Sequence, residues 1–178
     1  DSNRCFHCRL ELGDRLIELA KVHDIHTIVD GTNLDDLGDY RPGIEALKQN
    51  GIKSPLVETN FSKSEIRDEA KYVGLSVFDK PSNSCLASRI PWGQRVTAER
   101  LTRIELGEII VKQLTNVKQV RVRDNNGSAK IEVNKDMISV FNDGILKQLT
   151  EKLSLIGFST VEIDQEGYKP GKINVIAD

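Results

Sequence analysis

The pattern of apolar and polar residues divides the chain into two halves of different character. In the first half, helix-like and strand-like stretches alternate, an order typical of an α/β domain with a parallel sheet. Ser62 and Glu65 have the spacing of a capping box, which predicts a helix that starts there and ends near Gly74. The other predicted elements of this half are helices over 3–22 and 44–49 and strands over 25–29 and 53–58.

The second half predicts a separate, small α+β domain with the order helix, strand, strand, helix, strand. Thr97 is a predicted N-cap, and the run from Asp124 to Gly127 is typical of a hairpin turn. We therefore place a domain boundary near residues 91–96, which gives domains of 1–92 and 93–178. The predicted elements are a helix over 97–114, strands over 119–123 and 129–133, a single helix over 135–155, and a strand over 160–163.

Composition narrows the range of functions. Apolar residues make up 38% of the 178 residues and charged residues 29%, as in a globular protein rather than a disordered one. The net charge of −2 provides no basic surface, so we expect no nucleic-acid partner. The sequence contains no apolar run that approaches a membrane span, and its three cysteines form no disulfide framework. We expect a cytoplasmic homo-oligomer with no membrane partner.

One loop concentrates the candidate chemistry. Pro81 and Pro91 bracket it, and Cys85 lies inside it between the cations Lys80 and Arg89. A thiol near cations is expected to have a lowered pKa and so to be partly thiolate, the nucleophilic form. The two cations would also suit a phosphate-bearing ligand. The alternative is a buried structural cysteine, because free cysteine is among the most buried residue types.

A second candidate site follows the first predicted strand. The tetrapeptide Asp30-Gly31-Thr32-Asn33 comes directly after it, and ligands of open parallel sheets bind beyond the carboxyl ends of strands. Gly31 would let the backbone approach a ligand, while the other three side chains offer hydrogen-bond donors and acceptors. An ordinary Asx-rich turn is the alternative.

A third candidate lies on the predicted hairpin. Arg121 and Arg123 are two residues apart on one strand, so both side chains leave the same face. Glu132 lies on the partner strand near that face. The alternative is a ladder of exposed cross-strand charges without a ligand.

A metal site is less well supported. Cys5 and Cys8 have the spacing of a zinc-binding pair, but a tetrahedral site needs a second pair, and the sequence offers only three histidines toward it. We interpret these cysteines as packing residues or as part of a turn.

Several segments of the chain resemble the LarE family, the ATP-dependent sacrificial sulfur transferases. The resemblance runs nearly end to end. It rests on residues 79–89, on 30–36 through Arg41-Pro42-Gly43, on 120–123, and on Glu166-Gly167-Tyr168. The Ser-Gly-Gly-x-Asp-Ser pyrophosphatase loop of the family is absent from this sequence. We therefore interpret the chain as a C-terminal portion of a longer protein, and we expect the isolated chain to bind ATP poorly and to be inactive.

The resemblance implies both a fold and a reaction. The fold would be part of an adenine nucleotide α-hydrolase-like (PP-loop) domain followed by the small α+β domain. ATP with Mg²⁺ would adenylylate a carboxylate of a pyridinium dicarboxylate mononucleotide, a precursor of the nickel-pincer cofactor. A protein cysteine would then donate its sulfur and become dehydroalanine.

The resemblance also implies roles for individual residues. Cys85 would be the sulfur donor. The ATP-binding residues would be Asp30, Gly31, Thr32, Asn33, Lys80 and Arg89. The substrate-binding residues would be Arg121, Arg123, Glu108 and Glu132, with Glu105 as the alternative to Glu108. Glu108 and Glu132 are also candidate metal ligands, although no metal site is assigned.

Two other functions stay open at the level of sequence. One is a different enzyme of the same superfamily, such as a tRNA thiolase or an amide-forming synthetase. A thiolase would normally need paired cysteines and a basic surface, and neither is evident. The other is a substrate-binding or assembly module without catalysis of its own.

Overall fold

The computed structural model describes residues 2–38 and 41–169. The fold is mixed α/β, with one three-stranded sheet. The chain divides into two compact units, Asp1–Lys80 and Pro81–Asp178. Residues 81–92, which the sequence analysis assigns to the first domain, are thus grouped by compactness with the second unit. None of the helices in the described part of the chain has the length and apolar character that a membrane span requires.

The first unit is mainly helical. Helix α1 (Arg4–Val22) packs against helix α2 (Pro42–Gln49), and Gly13 on α1 leaves room for Asn50, the residue that ends α2. A Cβ atom at Gly13 would lie 2.6 Å from the Asn50 side chain, which donates a 2.7 Å hydrogen bond to Asp14. The helices are α1 (Arg4–Val22), α2 (Pro42–Gln49), α3 (Pro55–Glu58) and α4 (Lys63–Tyr72), with a 3-10 helix at Leu34–Gly38.

The predicted parallel sheet of the first half is mostly missing. Within the described residues of this unit, strand pairing is limited to one parallel bridge between Val29 and Lys53. The strand predicted over 53–58 is wrong, because Pro55 starts the helical turn α3 instead. Proline is favoured at the first position of a helix, where its missing N–H is not needed, and it cannot donate to a strand ladder.

The capping box is confirmed. The Ser62 side chain accepts a hydrogen bond from the Glu65 amide, and the Glu65 carboxylate accepts one from the Ser62 amide at 2.8 Å. The hydrogen bond from the Ser62 side chain lowers the pKa of Glu65 below its ordinary value. Helix α4 therefore begins where the sequence predicts.

The second unit is an α+β sandwich of one sheet and two helices. Its elements are α5 (Ala98–Thr115), β1 (Val120–Asn125), β2 (Ser128–Val133), α6 (Asp143–Leu155) and β3 (Thr160–Ile163). Strand β2 is central, antiparallel to β1 and parallel to β3. The predicted hairpin is confirmed: Asn126 and Gly127 have φ values of 48° and 92°, as a two-residue type I′ turn requires.

One hydrophobic core holds this unit together. Gly107 allows α5 to approach it closely, since a Cβ atom there would already contact Phe158, Val122 and Leu153 at 3.4–3.5 Å. The buried residues of the core are Val111, Val117, Val120, Val122, Ala129, Ile131, Val133, Phe141, Leu149, Leu153 and Phe158.

The single helix predicted over 135–155 is wrong. The structure has a 3-10 helix at Lys135–Val140, a break, and then α6. Asn142 caps α6 by accepting a 3.0 Å hydrogen bond from the Ile145 amide. Asparagine is a preferred N-cap because its side chain satisfies a free amide of the first turn, so this residue starts a new helix rather than continuing one.

Candidate functional site

Cys85 is an exposed free thiol in the second unit. It lies immediately before a 3-10 helix, Leu86–Arg89, at the end of a stretch without regular structure that begins at Pro81. The alternative of a buried structural cysteine is therefore wrong. We call residues 82–88 the cysteine loop.

Arg89 lies beneath the cysteine loop and is 0% exposed. One terminal nitrogen, Nη1, donates to the carbonyl oxygens of Ser84 and Cys85 at 2.9 and 3.0 Å. The same nitrogen donates to the hydroxyls of Ser84 and Ser88 at 2.7 and 3.0 Å. The predicted role of Arg89 as a phosphate partner stays a prediction, and in this conformation the side chain is already engaged with the protein.

Glu108, on α5, faces the other side of the Arg89 guanidinium. Its Oε1 accepts from Arg89 Nε at 2.8 Å, and its Oε2 accepts from Nη2 at 3.4 Å. Oε1 also accepts a 3.3 Å hydrogen bond from the backbone amide of Val122 on β1. This carboxylate thus links the helix, the strand and the loop, whereas Glu105, the alternative candidate, is exposed.

Arg121 is a second buried guanidinium that contacts the loop. Its Nη2 donates to the Ser82 carbonyl, and its Nη1 donates to the Val120 carbonyl at 2.9 Å. Among the residues that the structure describes, Arg121 forms no ion pair with a carboxylate, and its buried Nε has no hydrogen-bond partner. Burial lowers the pKa of Arg121, and the nearby positive charge of Arg89 adds to this effect.

Tyr168 packs against Arg121. The guanidinium carbon lies 5.5 Å from the centre of the tyrosine ring, within the range of a cation–π contact. Gly167 makes this placement possible with a φ of 74°, because a Cβ atom there would lie 3.0 Å from the Val133 carbonyl. The Tyr168 amide then donates to that same carbonyl at 2.7 Å.

Arg123 is the third guanidinium under the loop. It donates to the Ser88 carbonyl at 2.7 Å and to the Glu132 carboxylate at 2.7 Å. Their side chains are 14% and 3% exposed, so the predicted alternative of an exposed charge ladder is wrong. The pair is also diagonal, since Glu132 lies directly opposite Arg121 in the strand register.

The loop 30–33 of the first unit is ordered by its own residues. The Asp30 carboxylate accepts from the Thr32 amide at 3.1 Å and from the Thr32 hydroxyl at 2.6 Å, the pattern of an Asx turn. Asn33 is buried, and its Oδ1 has no partner among the described residues. Nothing lies within 4 Å of a Cβ atom built on Gly31, so the backbone is open there.

The remaining candidates from the sequence are Lys80, Cys5 and Cys8. Lys80 is exposed in the first unit, where its carbonyl accepts a 2.7 Å hydrogen bond from Arg67. Cys5 and Cys8 are exposed free thiols. The described residues contain no group of three or more histidine, cysteine or acidic side chains placed to hold a metal ion.

The sequence analysis missed several parts of this arrangement. It did not anticipate that Ser82 and Ser84 present their backbone carbonyls to buried arginines. It also gave Tyr168 no role beside Arg121. The three loop serines were a usable signal, because a serine-rich loop without regular structure needs partners for its backbone.

Together these residues place an exposed thiol on a loop whose carbonyl oxygens accept hydrogen bonds from two buried arginines and one largely buried arginine. Carboxylates compensate two of these cations, through Arg89–Glu108 and Arg123–Glu132. Among the residues that the structure describes, Arg121 has no carboxylate partner and keeps an unused donor. A buried arginine without a carboxylate partner, on the same loop as an exposed thiol, is suited to hold an anionic group.

Comparisons with known proteins cover most of this chain. It is 43% identical to Uncharacterized protein slr1717 of Synechocystis sp. over 173 residues. This alignment covers 97% of this chain and 64% of that protein. It is 32% identical over 163 residues to the pyridinium-3,5-bisthiocarboxylic acid mononucleotide synthase of Lactiplantibacillus plantarum. This alignment covers 90% of this chain and 57% of the synthase. It is 29% identical over 166 residues to Uncharacterized protein MJ0830 of Methanocaldococcus jannaschii, covering 93% of this chain and 64% of that protein.

The chain therefore spans less than two thirds of the length of each of these relatives. No family model matches it. The similarity to the synthase is consistent with the resemblance seen in the motifs.

Proposed function

We propose that this chain is part of a LarE-type sulfur transferase and that Cys85 gives its sulfur to a pyridinium mononucleotide. The observation that carries the proposal is the exposed Cys85 thiol on a loop held by three arginines, of which Arg89 and Arg121 are buried and Arg123 is largely buried. The 32% identity to a synthase named for a pyridinium bisthiocarboxylate mononucleotide supports the substrate class. A sulfur donor has to be a free thiol, and the cytoplasm is the compartment that keeps it reduced.

The proposed chemistry has two steps at Cys85, a nucleophilic attack and an elimination. The Cys85 thiolate attacks an activated acyl carbon of the substrate, which forms a thioester and expels the activating group. A base then removes the Cα proton of the cysteine, the Cβ–S bond breaks, and the sulfur stays on the substrate as a thiocarboxylate. The protein keeps dehydroalanine at position 85, so that each chain reacts once.

Arg121 is the residue that we propose as the main anchor for the anionic substrate. Its charge has no carboxylate partner among the described residues, and its Nε is buried without an acceptor. Arg123 would contribute less, because Glu132 already neutralises it. Glu108 would act through Arg89 and Glu132 through Arg123, since each carboxylate is paired with that guanidinium here.

ATP, with Mg²⁺, would supply the activation of the substrate carboxylate. The loop 30–33 fits part of a nucleotide, because Asn33 Oδ1 is a buried acceptor without a partner and Gly31 leaves the backbone open. Asp30 already accepts two hydrogen bonds from Thr32, so its contribution would be to hold the loop. We assign Lys80 to ATP on sequence resemblance alone.

Mass spectrometry of the full-length protein tests the proposal. After turnover with ATP and the pyridinium dicarboxylate mononucleotide, the peptide that contains Cys85 should lose about one H₂S, as the elimination requires. Cys5 and Cys8, also exposed and free, serve as internal controls and should keep their mass. An unmodified Cys85 after confirmed product formation would contradict the sacrificial reaction.

A further inference from the structure

The cysteine loop has little regular structure of its own. In the described chain, its regular backbone structure is the start of the 3-10 helix, where the Ser88 amide donates to the Cys85 carbonyl. An irregular segment of this kind pays the conformational entropy of ordering without a strand or helix to offset it. Contacts from outside the loop must therefore decide where the Cys85 thiol lies.

Arg89 supplies the contacts nearest to the thiol. Its Nη1 lies within 3.0 Å of four loop oxygens, which belong to Ser84, Cys85 and Ser88. These oxygens precede and follow the Cys85 side chain along the backbone, so one guanidinium fixes the chain on both sides of it. Arg121 and Arg123 contact only the two ends of the loop, at the carbonyls of Ser82 and Ser88.

Glu108 fixes Arg89 in turn. It uses both oxygens on the guanidinium and ties one of them to the Val122 amide, which belongs to a strand of the hydrophobic core. The planar fork of arginine can bond a carboxylate on one side and carbonyl oxygens on the other, whereas a lysine ammonium cannot reproduce both. A continuous set of hydrogen bonds thus runs from the core to the backbone of Cys85.

We propose that Arg89, oriented by Glu108, is the positioning residue of Cys85. It does not touch the thiol; it fixes the backbone on both sides of the cysteine so that the side chain is presented at a defined place. The consequence for sulfur transfer rests on the proposed function, while the positioning of the loop does not.

Nuclear magnetic resonance relaxation of the full-length protein tests the positioning directly. In the natural sequence, selectively ¹⁵N-labelled amides of Ser84, Cys85 and Ala87 should have order parameters of about 0.85, the value of a rigid backbone. In Arg89→Lys they should fall below about 0.6. The same amides should stay rigid in Arg103→Lys, a matched control.

Arg103 suits the control because it is also a largely buried arginine with a carboxylate partner in this unit. It pairs with Asp124 at 2.6 Å, and it donates hydrogen bonds to that carboxylate and to the Gly157 carbonyl rather than to the cysteine loop. A general loss of stability would therefore affect both arginine variants, whereas loss of positioning would affect only Arg89→Lys.

Glu108→Gln provides a second variant if Arg89→Lys does not fold. It keeps the shape of the side chain but removes the charge that orients the guanidinium, so the loop order parameters should fall in this variant too. Loop amides that stay as rigid in Glu108→Gln, or in a folded Arg89→Lys, as in the natural protein would overturn the proposal.

A single-turnover measurement separates this inference from the proposed function. At saturating substrate, Glu108→Gln should form dehydroalanine at least tenfold more slowly, while the dissociation constant of the substrate changes less than twofold. Unchanged turnover with a mobile loop would overturn the link between positioning and reaction. Absence of dehydroalanine in the natural protein, with the loop rigid, would refute the proposed function and leave the positioning role standing.

Discussion

The two compact units differ in how their structure is stabilised. The unit that begins at Pro81 has a continuous apolar core, and the ion pairs of Arg89 with Glu108 and of Arg103 with Asp124 are largely buried. Among its described residues, the first unit buries few large apolar side chains; the buried apolar residues there are Ala20, Ala46, Leu47 and Ile52. Its exposed large apolar residues are Leu12, Leu19, Val22, Ile25, Val29, Leu34, Leu37, Tyr72, Val73, Leu75 and Val77.

This difference extends to the two candidate sites. The cysteine loop is held by side chains that come from α5 and β1, far along the chain from the loop itself. The loop 30–33 is held mainly by neighbours in sequence, such as Thr32 on Asp30 and Asp36 on Asn33. A site supported by distant, rigid elements keeps its geometry better than one supported locally, so we attribute the covalent chemistry to the second unit.

The largest expected effects come from truncating the two cores. Leu153→Ala should lower the free energy of unfolding by about 3–5 kcal/mol, because Leu153 is fully buried among packed neighbours. Leu47→Ala should cost about 2 kcal/mol, since the thinner core around it can collapse into the cavity. Fluorescence of Trp92, the one tryptophan, follows the second unit, and circular dichroism follows both. Equal losses in both variants would contradict the contrast between the units.

Alanine variants of Arg121 and Arg123 should differ in whether they lose stability or substrate affinity. Arg123→Ala leaves Glu132 buried without its partner, so the free energy of unfolding should fall by about 3–5 kcal/mol. Arg121→Ala leaves no carboxylate unpaired and should mainly weaken substrate binding, by about 1.5–3 kcal/mol. Calorimetry with the substrate and denaturant unfolding on both variants would check this. Unchanged substrate affinity in Arg121→Ala would show that Arg121 is not the substrate anchor.

Asp124 should make the second unit sensitive to acid. Burial by itself raises the pKa of Asp124, but hydrogen bonds from Arg103, Gly127 and Arg100 outweigh it and hold the pKa below its ordinary value. The ionised carboxylate therefore stabilises the fold above about pH 4, and this contribution is lost as the pH falls through the lowered pKa.

Asp124→Asn tests that dependence. The variant should lose about 3 kcal/mol at neutral pH, because two guanidiniums lose their shared charge partner, and it should show a flatter stability profile below about pH 4. Glu65→Gln in the first unit is the control: its carboxylate is also held ionised, by Ser62, but it is fully exposed. Denaturant unfolding at neutral and acidic pH should show the larger change for Asp124→Asn, and the reverse order would refute the assignment.

Loss of a helix N-cap should give the smallest loss of stability, and a similar one in each unit. Ser62 caps α4 and Thr97 caps α5, and each side chain accepts from an amide of the first helical turn. Replacement of either by alanine should cost about 1 kcal/mol, the usual value of an N-cap. Thermal unfolding would measure both. A cost several times larger for one of them would show that the cap also carries tertiary contacts.

Local chemistry explains what could be predicted from the sequence. The capping box at Ser62, the Asn126-Gly127 turn and the strands of the second unit follow from residues a few positions apart. The errors occurred where one residue overrode a longer pattern. Pro55 turned a predicted strand into a helical turn, and Asn142 divided a predicted helix in two.

The candidate site was only partly accessible from the sequence. The loop itself and the shared face of Arg121 and Arg123 could be predicted from spacing and resemblance. The pairing of Arg89 with Glu108 could not, because nineteen residues separate them and only the packing of α5 brings them together. The diagonal pairing of Arg123 with Glu132 likewise depends on side-chain conformations that a strand pattern does not contain.

The central claim is that Cys85, of the three cysteines, is the sulfur donor. The direct measurement is thiocarboxylate formation by the full-length protein with ATP and the pyridinium dicarboxylate mononucleotide. It compares Cys85→Ala with the double variant Cys5→Ala and Cys8→Ala, which removes the other two exposed thiols. Cys85→Ala should form no product, while the double variant should stop, like the natural protein, at about one sulfur per chain. Product formation by Cys85→Ala, or its loss in the double variant, would contradict the claim.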